Sequence, residues 1–147
     1  MTPRASLAAL IADRGMTERA AQAAPLLFPE APPSVAFVRC LLALPGMGTP
    51  PAVTVPEFVM GLIRAGWQAR PVAFGPPQPG DLWVKADGER VPESLGFVGA
   101  LSLDQTCFSA VGPDGERARV TPREVEFFLR LPCPSCEQRP AAPPRKG

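Results

Sequence analysis

The chain has no histidine and no tyrosine among its 147 residues. Histidine is the usual general base near neutral pH and the commonest metal ligand, so a Ser-His-Asp or Cys-His enzyme cannot be built here. A charge excess is missing too: 15 Lys and Arg face 14 Asp and Glu, a net charge of +1. That balance argues against nucleic acid or an anionic membrane surface as partner. No stretch approaches the roughly 20 apolar residues that a membrane span needs, and Arg39 interrupts the best candidate. The apolar run at 7–12 is short, Asp13 and Arg14 follow at once, and no small-residue cleavage site is evident, unlike a secretory signal. A cytoplasmic address with reduced cysteines is the expectation, a phage particle or non-classical export being the other routes left open.

What is present is an ordinary globular composition, 46% hydrophobic and 20% charged, long enough for one domain with a modest tail. The 21 prolines fall mostly between elements or near the C-terminus, as rigid connectors rather than a proline-rich ligand tract. Trp67 and Trp83 are the large apolar anchors and both read as core, while exposed aromatics look scarce.

Thr2-Pro3 with Leu7, Leu10 and Ile11 predicts a capped amphipathic helix closed by Gly15, and Thr17 opens a second, alanine-rich helix that Pro25 kinks or ends. After the prolines at 29–33, Ser34 is expected to cap an apolar helix through Val35, Val38, Leu41 and Leu42. Thr54 and Glu57 form a capping box around Pro56. Phe58, Val59, Leu62, Ile63 and Trp67 give that helix a broad apolar face, which predicts the central buried helix.

From Pro71 the hydrophobic period changes. The segments 82–85, 97–103, 106–111, 117–120 and 127–129 read as short strands, with turns at Asp87-Gly88 and Pro113-Asp114-Gly115. Thr121 and Glu124 supply another capping box before the last strand. Helices first and antiparallel strands second make an α+β domain. The expected divisions are a helical extension at 1–33, the main domain at 34–131 and a Pro-rich tail at 132–147.

Three phrases carry a resemblance: Val55-Pro56-Glu57-Phe58-Val59 with Ala65-Gly66, then Gln78-Pro79-Gly80-Asp81-Leu82-Trp83, then Gly96-Phe97-Val98-Gly99. In this order they resemble the papain-like CHAP and NlpC-type amidases and peptidases that cleave peptidoglycan. In that family a cysteine nucleophile opens a helix, a Pro-Gly-Asp-Leu turn leads into a strand, and a Gly-His-Val-Gly strand carries the catalytic histidine. The resemblance implies a papain-like fold, with N-terminal helices packed on a small antiparallel sheet or half-barrel. It also puts Val55 at the cysteine position, Phe97 at the histidine position and Val111 near the third, polar position. Apolar side chains at those places imply a degenerate, inactive member acting as a binding or structural module. Its partner is then another protein, met through the N-terminal helices or a remnant groove at Val55, Glu57, Asp81, Trp83 and Phe97. A peptidoglycan peptide is the less favoured ligand. Asp81, in a Pro-Gly-Asp turn, has the alternative task of bonding nearby backbone amides.

Two other readings start from cysteine. Cys107 is a candidate displaced nucleophile for a cell-wall amidase, needing Lys85, Asp104 or another carboxylate to activate it. Cys133-Pro134-Ser135-Cys136 has the spacing of half a zinc site or of a redox pair. A small zinc-stabilised adaptor would need Cys40 and Cys107 to converge on it, although both sit in apolar surroundings where free cysteine behaves as a small hydrophobe. No cofactor is otherwise implied.

Overall fold

The computed structural model describes residues 2–51 and 54–131. Helices α1 (Pro3–Ala12), α2 (Arg14–Leu27), α3 (Pro33–Ala43) and α4 (Val55–Arg64) precede a strand-rich half. That half holds β1 (Gln68–Pro71), β2 (Leu82–Ala86), β3 (Pro92–Leu101), β4 (Phe108–Val111), β5 (Arg117–Val120) and β6 (Phe127–Arg130), with one-turn 3-10 helices at Val72–Phe74 and Pro122–Glu124. The strands form one six-stranded sheet in the order β1-β6-β2-β3-β4-β5, every neighbouring pair antiparallel. The α+β class is therefore established.

Local chemistry explains most boundaries. Thr2 Oγ1 accepts from the Ala5 amide to start α1, and Asp13 Oδ1 accepts from the Met16 amide to start α2. Asp13 thus both ends α1 and caps α2. This corrects the expectation that Gly15 closes the first helix and Thr17 opens the second; a carboxylate cap outweighs a glycine stop two residues later. Pro25 lies within the last turn of α2 and the helix runs on to Leu27. Pro32, not Ser34, is the residue before α3, and Pro33 takes its first position, where the missing N–H costs little. Thr54 caps α4 as expected, its hydroxyl accepting from the Glu57 amide at 3.2 Å.

The central buried helix is α3, not α4. Eight of its residues, Ser34 to Val38 and Cys40 to Leu42, are buried because α2 covers one side and β3 the other. A helix apolar nearly all round is read as buried rather than amphipathic. Helix α4 buries Val55, Phe58, Val59 and Leu62 but leaves Met60 exposed, and it ends before Trp67. Helices α1 and α2 belong to the same core: Leu7, Ile11, Ala20 and Ala24 share a cluster with α3, α4, Leu82, Val84, Leu95, Phe97, Val111 and Leu129. Arg39 pins the helical layer from α3, stacking on Phe28 at 4.3 Å and donating to Thr49 Oγ1 at 3.2 Å.

The opposite sheet face has a second cluster of Trp83, Val98, Phe108, Ala110, Val120, Val125 and Phe128. Phe108 on β4 and Phe128 on β6 meet edge to face with ring centroids 5.6 Å apart. Three strand spacings separate β4 from β6, about 14 Å in a flat sheet, so the sheet must curl strongly to bring these rings together. Edge strand β1 was not foreseen: Gln-Ala-Arg-Pro is mostly exposed and is held by pairing with β6 alone. Exposed aromatics are scarce among the described residues, as expected: Phe74, 70% exposed, is the one among the exposed large hydrophobics, and Trp67 and Trp83 are buried.

Candidate functional site

Val55 is the first residue of α4 and is buried. Phe97 lies mid-strand in β3, fully buried, paired across to Leu82 on β2 and to Val111 on β4. All three residues lie in the same core cluster, where α4 packs on β3. The Phe37 ring of α3 meets Phe97 edge-on at 6.1 Å. The start of α4 and two neighbouring strand positions contribute only hydrocarbon to one core cluster. No side chain in this trio can hold or move a proton.

The Pro79-Gly80-Asp81 turn is tied to the same strand. Gly80 has φ +94°, a left-handed conformation suited to glycine, and a Cβ there would lie 3.5 Å from the Ala8 amide nitrogen of α1. The Gly80 amide donates to the Val98 carbonyl at 2.9 Å, and the Val98 amide donates to the Asp81 carbonyl at 2.8 Å. Asp81 Oδ2 accepts from the Gln78 amide at 2.8 Å and from Arg130 Nη2 at 2.9 Å, while Arg130 Nε donates to Oδ1 at 3.1 Å. Arg4 and Gln78 add a side-chain hydrogen bond from α1. Asp81 is 2% exposed, and the space enclosed by Arg4, Leu7, Gly80, Asp81 and Leu131 is about 10 Å³, room for a water at most. Its carboxylate organises the turn and β6.

The five residues expected round a remnant groove do not share one opening. Val55 and Phe97 belong to the cluster under the helices and Trp83 to the cluster on the other face. Trp83 lies opposite Gly96 in register, and a Cβ at Gly96 would fall 2.5 Å from its indole and 2.3 Å from the Val111 carbonyl oxygen. The indole Nε1 is buried without a hydrogen-bond partner among the described residues. Of the five, Glu57 is the exposed one.

Cys107 is half-buried, with Thr106 Oγ1 at 3.8 Å from its sulfur. The expected activators are engaged elsewhere. Lys85 Nζ sits 5.5 Å from the Trp83 ring centre, and Asp104 Oδ1 accepts from Ser102 Oγ and Thr106 Oγ1, each at 2.8 Å. Those bonds, Thr106 first, hold the Asp104 carboxyl below its ordinary pKa. Cys40 is buried in α3, and burial pushes its thiol pKa up. No group of three or more Cys, Asp or Glu side chains gathers as a metal cage among the described residues. Cys133 and Cys136 lie outside the described residues. No helix is long and apolar enough to cross a membrane among those same residues.

Several openings were missed, one of them rich in arginine. Arg14, Arg117 and Arg119 line a cleft of about 280 Å³ with Ser102, Ser109 and Cys107. Strand alternation in Arg117-Ala118-Arg119 would have put both arginines on one face, but nothing local in the sequence connects them with Arg14. No family model, no curated protein and no solved structure matches this chain.

Proposed function

We propose that the chain is a papain-like domain of CHAP or NlpC type that has lost its catalytic groups and serves as a protein-binding or structural module in the cytoplasm. One observation carries the reading: the positions matching the family's cysteine, histidine and third residue, Val55, Phe97 and Val111, are apolar and packed in one cluster. The packing of α4 on β3, the Pro-Gly-Asp turn into β2 and the curled antiparallel sheet support the papain-like part. A chain without histidine supports the loss of catalysis. Leu26 and Leu27, 82% and 62% exposed at the end of α2, make the N-terminal helices the favoured route to a protein partner.

The test is a turnover assay of purified protein on peptidoglycan fragments. No released amine above a no-protein control is the expected result, with wild type and Cys107→Ala indistinguishable. Turnover that disappears in Cys107→Ala would overturn the reading in favour of an amidase with a displaced nucleophile.

A further inference from the structure

The arginine-lined cleft lies where the β3–β4 hairpin and β5 approach the start of α2, and none of its lining residues belongs to the buried trio. No Asp or Glu is among the lining residues. The ion pairs found among the described residues are Arg90–Glu126 and Arg130–Asp81, so none of the three cleft arginines is neutralised by one. Arg117 is held in place: its Nη2 donates to the Ile11 carbonyl at 2.6 Å and to Thr17 Oγ1 at 3.2 Å. Its Nε is buried with no hydrogen-bond partner among the described residues. Burial, then the nearby Arg14 charge, lower the Arg117 pKa, and Glu18 offsets them in part. Arg119 stands opposite Ser109 in register, and both line the cleft, so a hydroxyl joins the arginines in its wall.

Like charges gathered in a concave site repel one another, and a bound dianion relieves that repulsion while accepting from several N–H groups. Guanidinium forks match the oxygens of a phosphate in particular. At about 280 Å³ the cleft is at the small end for ligand sites, which start near ~300 Å³. A net charge of +1 gives no overall basic excess to favour a nucleic acid. We infer that this cleft binds a phosphate group, free or on a small monoester, with Arg14, Arg117 and Arg119 supplying the positive charge.

Thermal melts and calorimetry on the full chain at low salt test this, with inorganic phosphate, phenyl phosphate and benzoate as probes and sodium chloride at matched ionic strength as control. Arg14 and Arg119 are exposed, so Arg14→Gln and Arg119→Gln should keep the melting temperature of the unliganded protein. Either phosphate probe should raise it, by about 4 °C at tenfold excess over the dissociation constant and logarithmically further above that. Whichever of the two binds more tightly identifies the source, free or esterified. Each arginine variant should weaken binding by about tenfold. Bound phosphate should also slow alkylation of Cys107, followed on its own peptide by mass spectrometry. Equal shifts with chloride or benzoate, or variants that bind phosphate as wild type does, would overturn the assignment and leave the proposal about Val55 and Phe97 standing.

Discussion

Asp81 shows how one side chain in a turn can hold two distant parts of a chain. Its carboxylate joins a backbone amide three residues earlier to a guanidinium on the last strand. Both partners are nearly out of water, with 12% of the Arg130 side chain and 3% of the Asp81 side chain exposed. Removing one member of such a pair leaves the other charge buried and unpaired, which costs about 3–5 kcal/mol, whereas an apolar replacement of both is often close to neutral. Asp81→Ala should therefore lower the urea midpoint steeply, and Asp81→Ala with Arg130→Leu should recover much of the loss. Equal losses in single and double variants would mean that the amide contact, rather than the ion pair, dominates. The sequence already offered half of this: Pro-Gly-Asp signals a turn with a backbone-bonding carboxylate. Arg130 was invisible because its pairing depends on β6 lying beside β2, a contact between segments far apart in the chain.

Among the elements, legibility followed how local the deciding force is. Thr54 before α4 and Thr121 with Glu124 before the 3-10 turn were readable because a cap is a contact across three residues. Strand β1 and the rank of α3 were not, since each depends on what packs from elsewhere. The β3–β4 hairpin loop is a local case with a measurable consequence. Asp104 accepts from the Ser102 and Thr106 hydroxyls and the Thr106 amide, and Gln105 takes φ 63° at the loop tip. Its pKa is lowered on folding, so the stabilisation is present above the unfolded carboxyl pKa and is lost as pH falls through the folded one. Carboxyl NMR titration should place the Asp104 midpoint below that of an unstructured aspartate. Hydrogen exchange at the Thr106 amide, corrected for intrinsic rate, should lose protection over the same acid range, and Asp104→Asn should abolish that dependence. A midpoint at the ordinary aspartate value would show that the loop bonds do not persist in solution.

For the whole molecule, the proposed ancestry has a stability consequence. In a papain-like enzyme the helix start and the facing strand hold a thiol and an imidazole within reach of substrate. Under the proposed correspondence those places are held here by a valine and a phenylalanine, both buried, with Phe37 of α3 against the phenylalanine ring. Reinstating the chemical groups as Val55→Cys with Phe97→His should therefore destabilise the fold rather than rebuild a site. The imidazole would enter a fully buried slot beside Phe37 with no polar group of the trio to receive it. Burying it unpaired costs about 1–3 kcal/mol, and the lost ring contact about 0.5–1.5 kcal/mol more. The cysteine side of the exchange is nearly neutral, because a thiol in an apolar setting packs as a small hydrophobe. Urea melts of the two single variants should accordingly assign almost the whole loss to Phe97→His. Lower pH should deepen that loss, since protonating the imidazole would bury a charge. A double variant that melts with wild type would place the side chain at position 97 in water, and the correspondence with a catalytic cysteine and histidine would have to be abandoned.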